Sequence, residues 1–146
     1  MGDIGKTCDM TESKKAILCV DDEKLILLSL VQELKNTFGN EFIYEKATDA
    51  YRALEIIDEL AREGIELILI ISDWLMPGIK GDEFLEMVRK RHPEIKAIMI
   101  TGQAEQEVID RLLETGCICE VLGKPWEPGR LVEAVKKCCR PEREDT

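Results

Sequence analysis

No stretch of the chain stays apolar for anything near the roughly 20 residues that a membrane-crossing helix needs. The polar start Met1-Gly-Asp-Ile-Gly-Lys6 also lacks the apolar core of a secretion signal. Both absences point to a soluble, cytoplasmic protein that does not engage a membrane. Basic residues are outnumbered, 20 Lys and Arg against 30 Asp and Glu, and the resulting charge of -10 argues against direct binding to nucleic acid. A divalent cation or a basic protein surface suits it better. Histidine occurs once, at His92 in Arg91-His92-Pro93. No sequence neighbour would orient that ring as a base, so it reads as a solvated helix end. No internal repeat or low-complexity tract is present.

Zinc-knuckle spacing is missing too. The chain has 6 cysteines, but neither Cys117-x-Cys119 nor the adjacent Cys138-Cys139 leaves the gap that a structural zinc site uses. Cys19, Cys117 and Cys119 lie in strand-like runs, and Cys138 falls on an apolar helical stripe. Buried free thiols are therefore expected, because cysteine packs as a small hydrophobe in reducing compartments.

What is present is a series of short apolar runs, each ended by a polar signal. Asp21-Asp22 follows Ala16 to Val20, and Asp73 follows Leu67 to Ser72. Thr101 follows Ile95 to Ile100, and Lys124 follows Ile118 to Gly123. Between the runs, apolar residues recur at helical spacing. Leu27, Leu30, Val31 and Leu34 predict a helix over about 23–37 that stops near Gly39. A second strand begins at Phe42-Ile43-Tyr44. Thr48 is then expected to cap a helix with the stripe Ala50, Ala53, Leu54 and Ile57, ending by Gly64.

Further helices are predicted from Gly81-Asp82 with Phe84, Leu85 and Val88 inward, and over about 104–114 with Val108, Ile109 and Leu112 inward. The last is expected over about 128–139, with Leu131, Ala134, Val135 and Cys138 inward. Strand and helix thus alternate along 146 residues, the length of one domain. That pattern predicts an α/β fold: a doubly wound, five-stranded parallel sheet with helices on both faces and right-handed crossovers. Residues 1–14 read as a flexible leader, 15–139 as the domain, and 140–146 as a charged tail.

In such a sheet the crevice beyond the carboxyl ends of the strands is where ligands bind. Asp21, Asp22 and Asp73 would meet there. Two unit charges ~4 Å apart repel by about 4 kcal/mol at an effective dielectric near 20, so the acids need a neutralising partner. Magnesium suits hard carboxylate oxygens and keeps positions for a phosphate. Lys124 adds a point charge and Thr101 a hydroxyl, an assembly suited to phosphoryl transfer. Asp73, which ends the central strand alone, is the candidate nucleophile, while Asp21 and Asp22 are placed to share the cation. Pro77-Gly78 forces a turn just beyond it and exposes backbone carbonyls that can complete a metal shell. Trp74 beside it reads as partial core.

The motifs Val20-Asp21-Asp22-Glu23, Ser72-Asp73-Trp74-Leu75-Met76-Pro77-Gly78 with Gly81, Thr101-Gly102 and Lys124-Pro125-Trp126 resemble those of the receiver domain of bacterial response regulators. The resemblance covers about residues 15–139 and implies the flavodoxin-like strand order 2-1-3-4-5. It implies that Asp73 accepts a phosphoryl group from a histidine kinase or phosphotransfer protein. It further implies that Asp22 binds magnesium directly, Asp21 mainly through water, and that the Leu75 backbone carbonyl is another ligand. Thr101 would turn toward the phosphoryl oxygen and Lys124 would pair with it. A cis peptide is implied at Lys124-Pro125. Such a domain catalyses only its own phosphorylation and dephosphorylation, and signals by docking to an effector or a second copy.

One position departs from the pattern. Three residues before the lysine, where receivers commonly carry a switching Tyr or Phe, stands Val121. The departure leaves room for a receiver-like scaffold that works without phosphorylation. A magnesium-dependent phosphatase with an aspartyl-phosphate intermediate is a further alternative, but it would want an acid where Leu75 stands. No effector domain is expected after residue 139, so the chain either docks alone or is one piece of a longer protein.

Overall fold

The computed structural model describes residues 14–103 and 105–139. Most of the expected leader, the whole of the charged tail, and Ala104 at the expected start of the fourth helix lie outside the described residues. Strands β1 (Lys15–Val20), β2 (Ile43–Ala47), β3 (Glu66–Asp73), β4 (Lys96–Thr101) and β5 (Glu120–Gly123) alternate with helices α1 (Lys24–Phe38), α2 (Ala50–Arg62), α3 (Gly81–Arg91), α4 (Gln106–Glu114) and α5 (Arg130–Cys139). The strands form one five-stranded sheet in the order β2-β1-β3-β4-β5, and every neighbouring pair is parallel. This is the flavodoxin-like strand order that the family resemblance implied.

Alternation along the strands divides the core into two layers. Ala16, Leu18 and Val20 of β1, with Ile70, Ala97 and Met99, pack against α2, α3 and α4. Ile17 and Cys19, with Leu69, Ile71, Ile98 and Ile100, pack against α1 and α5. β3 lies between β1 and β4 and is apolar on both faces because helices cover both. The helical stripes behave as expected in α1, α3 and α5, whose inward residues are all buried.

The other helices differ in detail. In α2 the buried stripe is Ala50, Ala53, Ile56, Ile57 and Leu60, with Leu54 only half-buried. Its cap is Asp49, not Thr48: the Asp49 carboxylate accepts from the Arg52 N–H at 2.8 Å. A carboxylate at this place also faces the positive end of the helix dipole. α4 is the most lightly anchored helix. It buries Leu112 alone, while Val108 and Ile109 stay half-exposed.

The cysteines require a correction. Cys19 and Cys117 are buried free thiols as expected, and Cys139 is a half-buried one, but Cys119 and Cys138 form a disulfide. β5 begins only at Glu120, so strand alternation does not govern Cys117-Ile118-Cys119. Cys117 turns to the α2–α4 layer, and Cys119 turns to the opposite layer, where α5 presents Cys138. Their Cα atoms are 6.1 Å apart, within the usual range for a bridge. Among the described residues no helix is long and apolar enough to cross a membrane.

Candidate functional site

Four of the strand ends carry the residues singled out above. β1 delivers Asp21 and Asp22 just past Val20, β3 ends on Asp73, β4 ends on Thr101, and β5 leads into Lys124. Parallel pairing puts these ends on one edge. The pairs Val20 with Ser72, Asp73 with Ile100 and Thr101 with Gly123 hold the strands in step. One carboxylate oxygen from each of Asp21, Asp22 and Asp73 lies within 4.8 Å of the others. Asp21 and Asp73 are buried, with 1% and 7% of their surface exposed, whereas Asp22 faces solvent.

Both oxygens of Asp21 are engaged. Oδ1 accepts from the Glu23 N–H at 2.8 Å, and Oδ2 lies 2.8 Å from Lys124 Nζ. Asp73 is held from two sides as well: Oδ1 accepts from the Trp74 N–H at 2.8 Å, and Oδ2 lies 3.2 Å from Lys124 Nζ. Lys124 therefore bridges the two buried acids, with Glu23 at 3.7 Å as an outer neighbour. Burial raises the Asp73 carboxyl above its ordinary value, and the nearby Asp21 charge raises it further, against the opposing pull of Lys124. Burial alone would lower the Lys124 ammonium, but its hydrogen bonds and charge contacts with Asp21 and Asp73 outweigh that and leave it raised.

Three carboxylates and one ammonium leave the cluster negative. An all-oxygen donor set, part buried and part open through Asp22, fits a hard divalent cation such as magnesium. Thr101 is buried at the same edge, and its Oγ1 accepts from the Gln103 N–H at 3.1 Å. The peptide between Lys124 and Pro125 is cis, as the motif implied.

The loop after Asp73 is tightly drawn. The Gly81 N–H donates to the Trp74 carbonyl at 2.7 Å, and a Cβ at Gly81 would collide with the Asp73 carbonyl. Gly78 has a φ of 84°, the left-handed conformation that glycine adopts without strain, and the Tyr51 ring packs against it. Trp74 is buried as partial core, and its indole also donates to Asp82 Oδ1 at 2.9 Å. Trp126, beyond Lys124-Pro125, donates to Glu33 Oε1 of α1 at 2.8 Å. Both indole links went unnoticed in the sequence; the signal was a tryptophan one or two residues after a site residue. Val121 is half-buried and packs against the α2–α4 layer.

Comparison with known proteins bears on the family and the fold. The sequence profile described as the response regulator receiver domain matches residues 17–136. The hydrogenase transcriptional regulatory protein HoxA of Cupriavidus necator is 34% identical over 88% of this chain, which spans 25% of HoxA. The sensor kinase CckA of Brucella abortus is 31% identical over 92% of this chain, which spans 13% of CckA. Among solved structures, a CheY-like response regulator receiver domain protein from Methanospirillum hungatei superposes with a TM-score of 0.76 at 31% identity. That match covers 92% of this chain and 100% of the other. The receiver domain of NtrX from Brucella abortus gives 0.72 at 27% identity, covering 84% and 97%.

Proposed function

Because the chain belongs to the response regulator receiver domain family, signalling domains of two-component systems, we propose that it accepts a phosphoryl group on Asp73 from a histidine kinase or phosphotransfer protein. The observation that carries this reading is the meeting of Asp21, Asp22, Asp73 and Lys124 at one edge of the sheet.

In the transfer, an Asp73 carboxylate oxygen attacks phosphorus, the bond from phosphorus to the donor histidine nitrogen breaks, and the imidazole leaves with its electron pair. Oδ2, which faces Lys124, is the oxygen placed for attack, since Oδ1 is held by the Trp74 N–H. Lys124 then pairs with the transferred group, and the Thr101 hydroxyl donates to one of its oxygens. Magnesium held by Asp22, Asp73 and the Leu75 carbonyl, with Asp21 acting mainly through water, would supply neutralising charge for the equatorial oxygens. The double engagement of Asp21 supports its outer role. The chain turns over only its own phosphoryl group, and its output is phosphorylation-dependent docking to an effector protein or domain.

Incubation with magnesium and a small phosphoryl donor should add the mass of one phosphoryl group, and Asp73→Asn should abolish the gain. No gain from a donor or a kinase would favour a scaffold that binds partners unphosphorylated, the reading that Val121 favours. Steady release of phosphate from unrelated monoesters would favour a phosphatase.

A further inference from the structure

The site as described transfers a phosphoryl group but lacks a ring at Val121 to report the event, so another connection must reach the outer surface if the domain signals. A continuous set of hydrogen bonds starts at Asp73 itself. Its Oδ1 accepts from the Trp74 N–H at 2.8 Å, and the Trp74 indole donates to Asp82 Oδ1 at 2.9 Å. Asp82 Oδ2 in turn accepts from Arg111 of α4 at 3.2 Å, and the same guanidinium holds Glu86 of α3 at 3.2 Å. Trp74 is buried, and Lys80 lies over its ring at 5.4 Å, so the indole has little freedom to move alone.

The far end is an element able to respond. α4 buries one side chain, Leu112, so polar contacts with α3 make up much of its lateral attachment. These are Arg111 to Asp82 and Glu86, joined just past the end of α4 by Arg89 to the Gly116 carbonyl at 2.9 Å.

Resting on the phosphoacceptor reading, we propose that Trp74 is a positioning residue that carries the state of Asp73 to α4 through Asp82 and Arg111. The first step follows from the chemistry. While Asp73 is a carboxylate, the bond from the Trp74 N–H is charge-assisted; once Oδ2 is esterified, Oδ1 becomes the carbonyl oxygen of a mixed anhydride and accepts more weakly. Trp74 then relaxes. Its carbonyl is fixed to the Gly81 N–H at 2.7 Å, where a Cβ has no room, so the adjustment passes into the first turn of α3, which carries Asp82.

The test uses the nitrogen-15-labelled protein with beryllium fluoride and magnesium as the phosphoryl mimic. In the wild type, saturation shifts both the Trp74 indole N–H and the amides of 106–114. In Arg111→Gln, a surface change, the indole still responds, while the α4 response falls by about fivefold or more, the low end of usual coupling factors. Arg111→Lys restores part of it. Trp74→Phe, which keeps a buried ring and the backbone N–H but loses the indole N–H, weakens the α4 response as Arg111→Gln does. Wild-type α4 amplitudes in both Arg111→Gln and Trp74→Phe overturn the proposal alone, as does an α4 that stays still in a wild type whose Asp73 is loaded. No response to the mimic and no mass gain at Asp73 overturn the phosphoacceptor reading and this one with it.

Discussion

The Lys124 ammonium lies nearer to Asp21, at 2.8 Å, than to Asp73, at 3.2 Å. One cation is thus shared between the acid proposed to react and an acid proposed to help hold magnesium. Lys124→Met would leave two buried carboxylates without their common partner. The expected loss is about 3 kcal/mol of stability in cation-free buffer, the usual cost of breaking a buried pair. Millimolar magnesium should recover much of it, because a dication replaces the missing charge. Urea unfolding with and without magnesium checks both parts.

Asp22 offers a way to separate the proposed cation binding from folding. It is exposed, so Asp22→Ala should leave the metal-free stability within about 0.5 kcal/mol. The wild type should gain roughly 2.7 kcal/mol when magnesium reaches a hundredfold excess over its dissociation constant, and the variant much less at the same concentration. Chelation should return the wild type to its starting midpoint.

Acid titration without metal should single out Asp73. Its carboxyl is raised in the folded protein by burial and by Asp21, so the native state binds that proton more readily than the unfolded chain. The charged form therefore costs stability at neutral pH, and the cost fades as pH falls from the raised value toward the ordinary one. Asp73→Asn should be more stable than wild type at neutral pH, with the advantage shrinking through that window. A difference independent of pH would contradict the assignment.

Gly81→Ala tests the close approach behind the site. The new methyl would meet the Asp73 carbonyl and Trp74 Cα, so overpacking of about 1–3 kcal/mol is expected. Phosphorylation should slow as well, since the displaced atoms belong to the proposed acceptor Asp73 and its neighbour Trp74. Thermal unfolding and the rate of mass gain measure the two effects.

The disulfide between Cys119 and Cys138 closes a loop with a sequence separation of 19. Its loss in Cys138→Ser should cost about 3 kcal/mol under non-reducing conditions. A reductant should bring the wild type close to the variant and leave the variant unchanged.

The strand ends were legible because each apolar run stops at a polar residue, and parallel order alone then places Asp21, Asp22, Asp73, Thr101 and Lys124 on one edge. Helical periodicity gave α1, α3 and α5 their buried stripes. Long-range pairing was not legible: nothing in the spacing of Cys119 and Cys138 says that irregular backbone before β5 turns one toward the other. The same holds for Arg111 and Asp82, and for Glu120, whose carboxylate meets Lys137 at 2.9 Å and Arg130 at 3.4 Å. Such contacts depend on how elements distant in sequence pack against one another, which local pattern does not encode. Asp49 replaced Thr48 as a cap by a shift of one position, a decision made by where β2 releases the chain.

Both tryptophans of this chain occupy the loops that follow Asp73 and contain Lys124, and each indole donates to a carboxylate. The chain's indole emission therefore originates next to the proposed site residues. If the proposed chemistry holds, selective excitation of the indoles would follow cation entry and the decay of the acyl-phosphate in real time, with no dye attached.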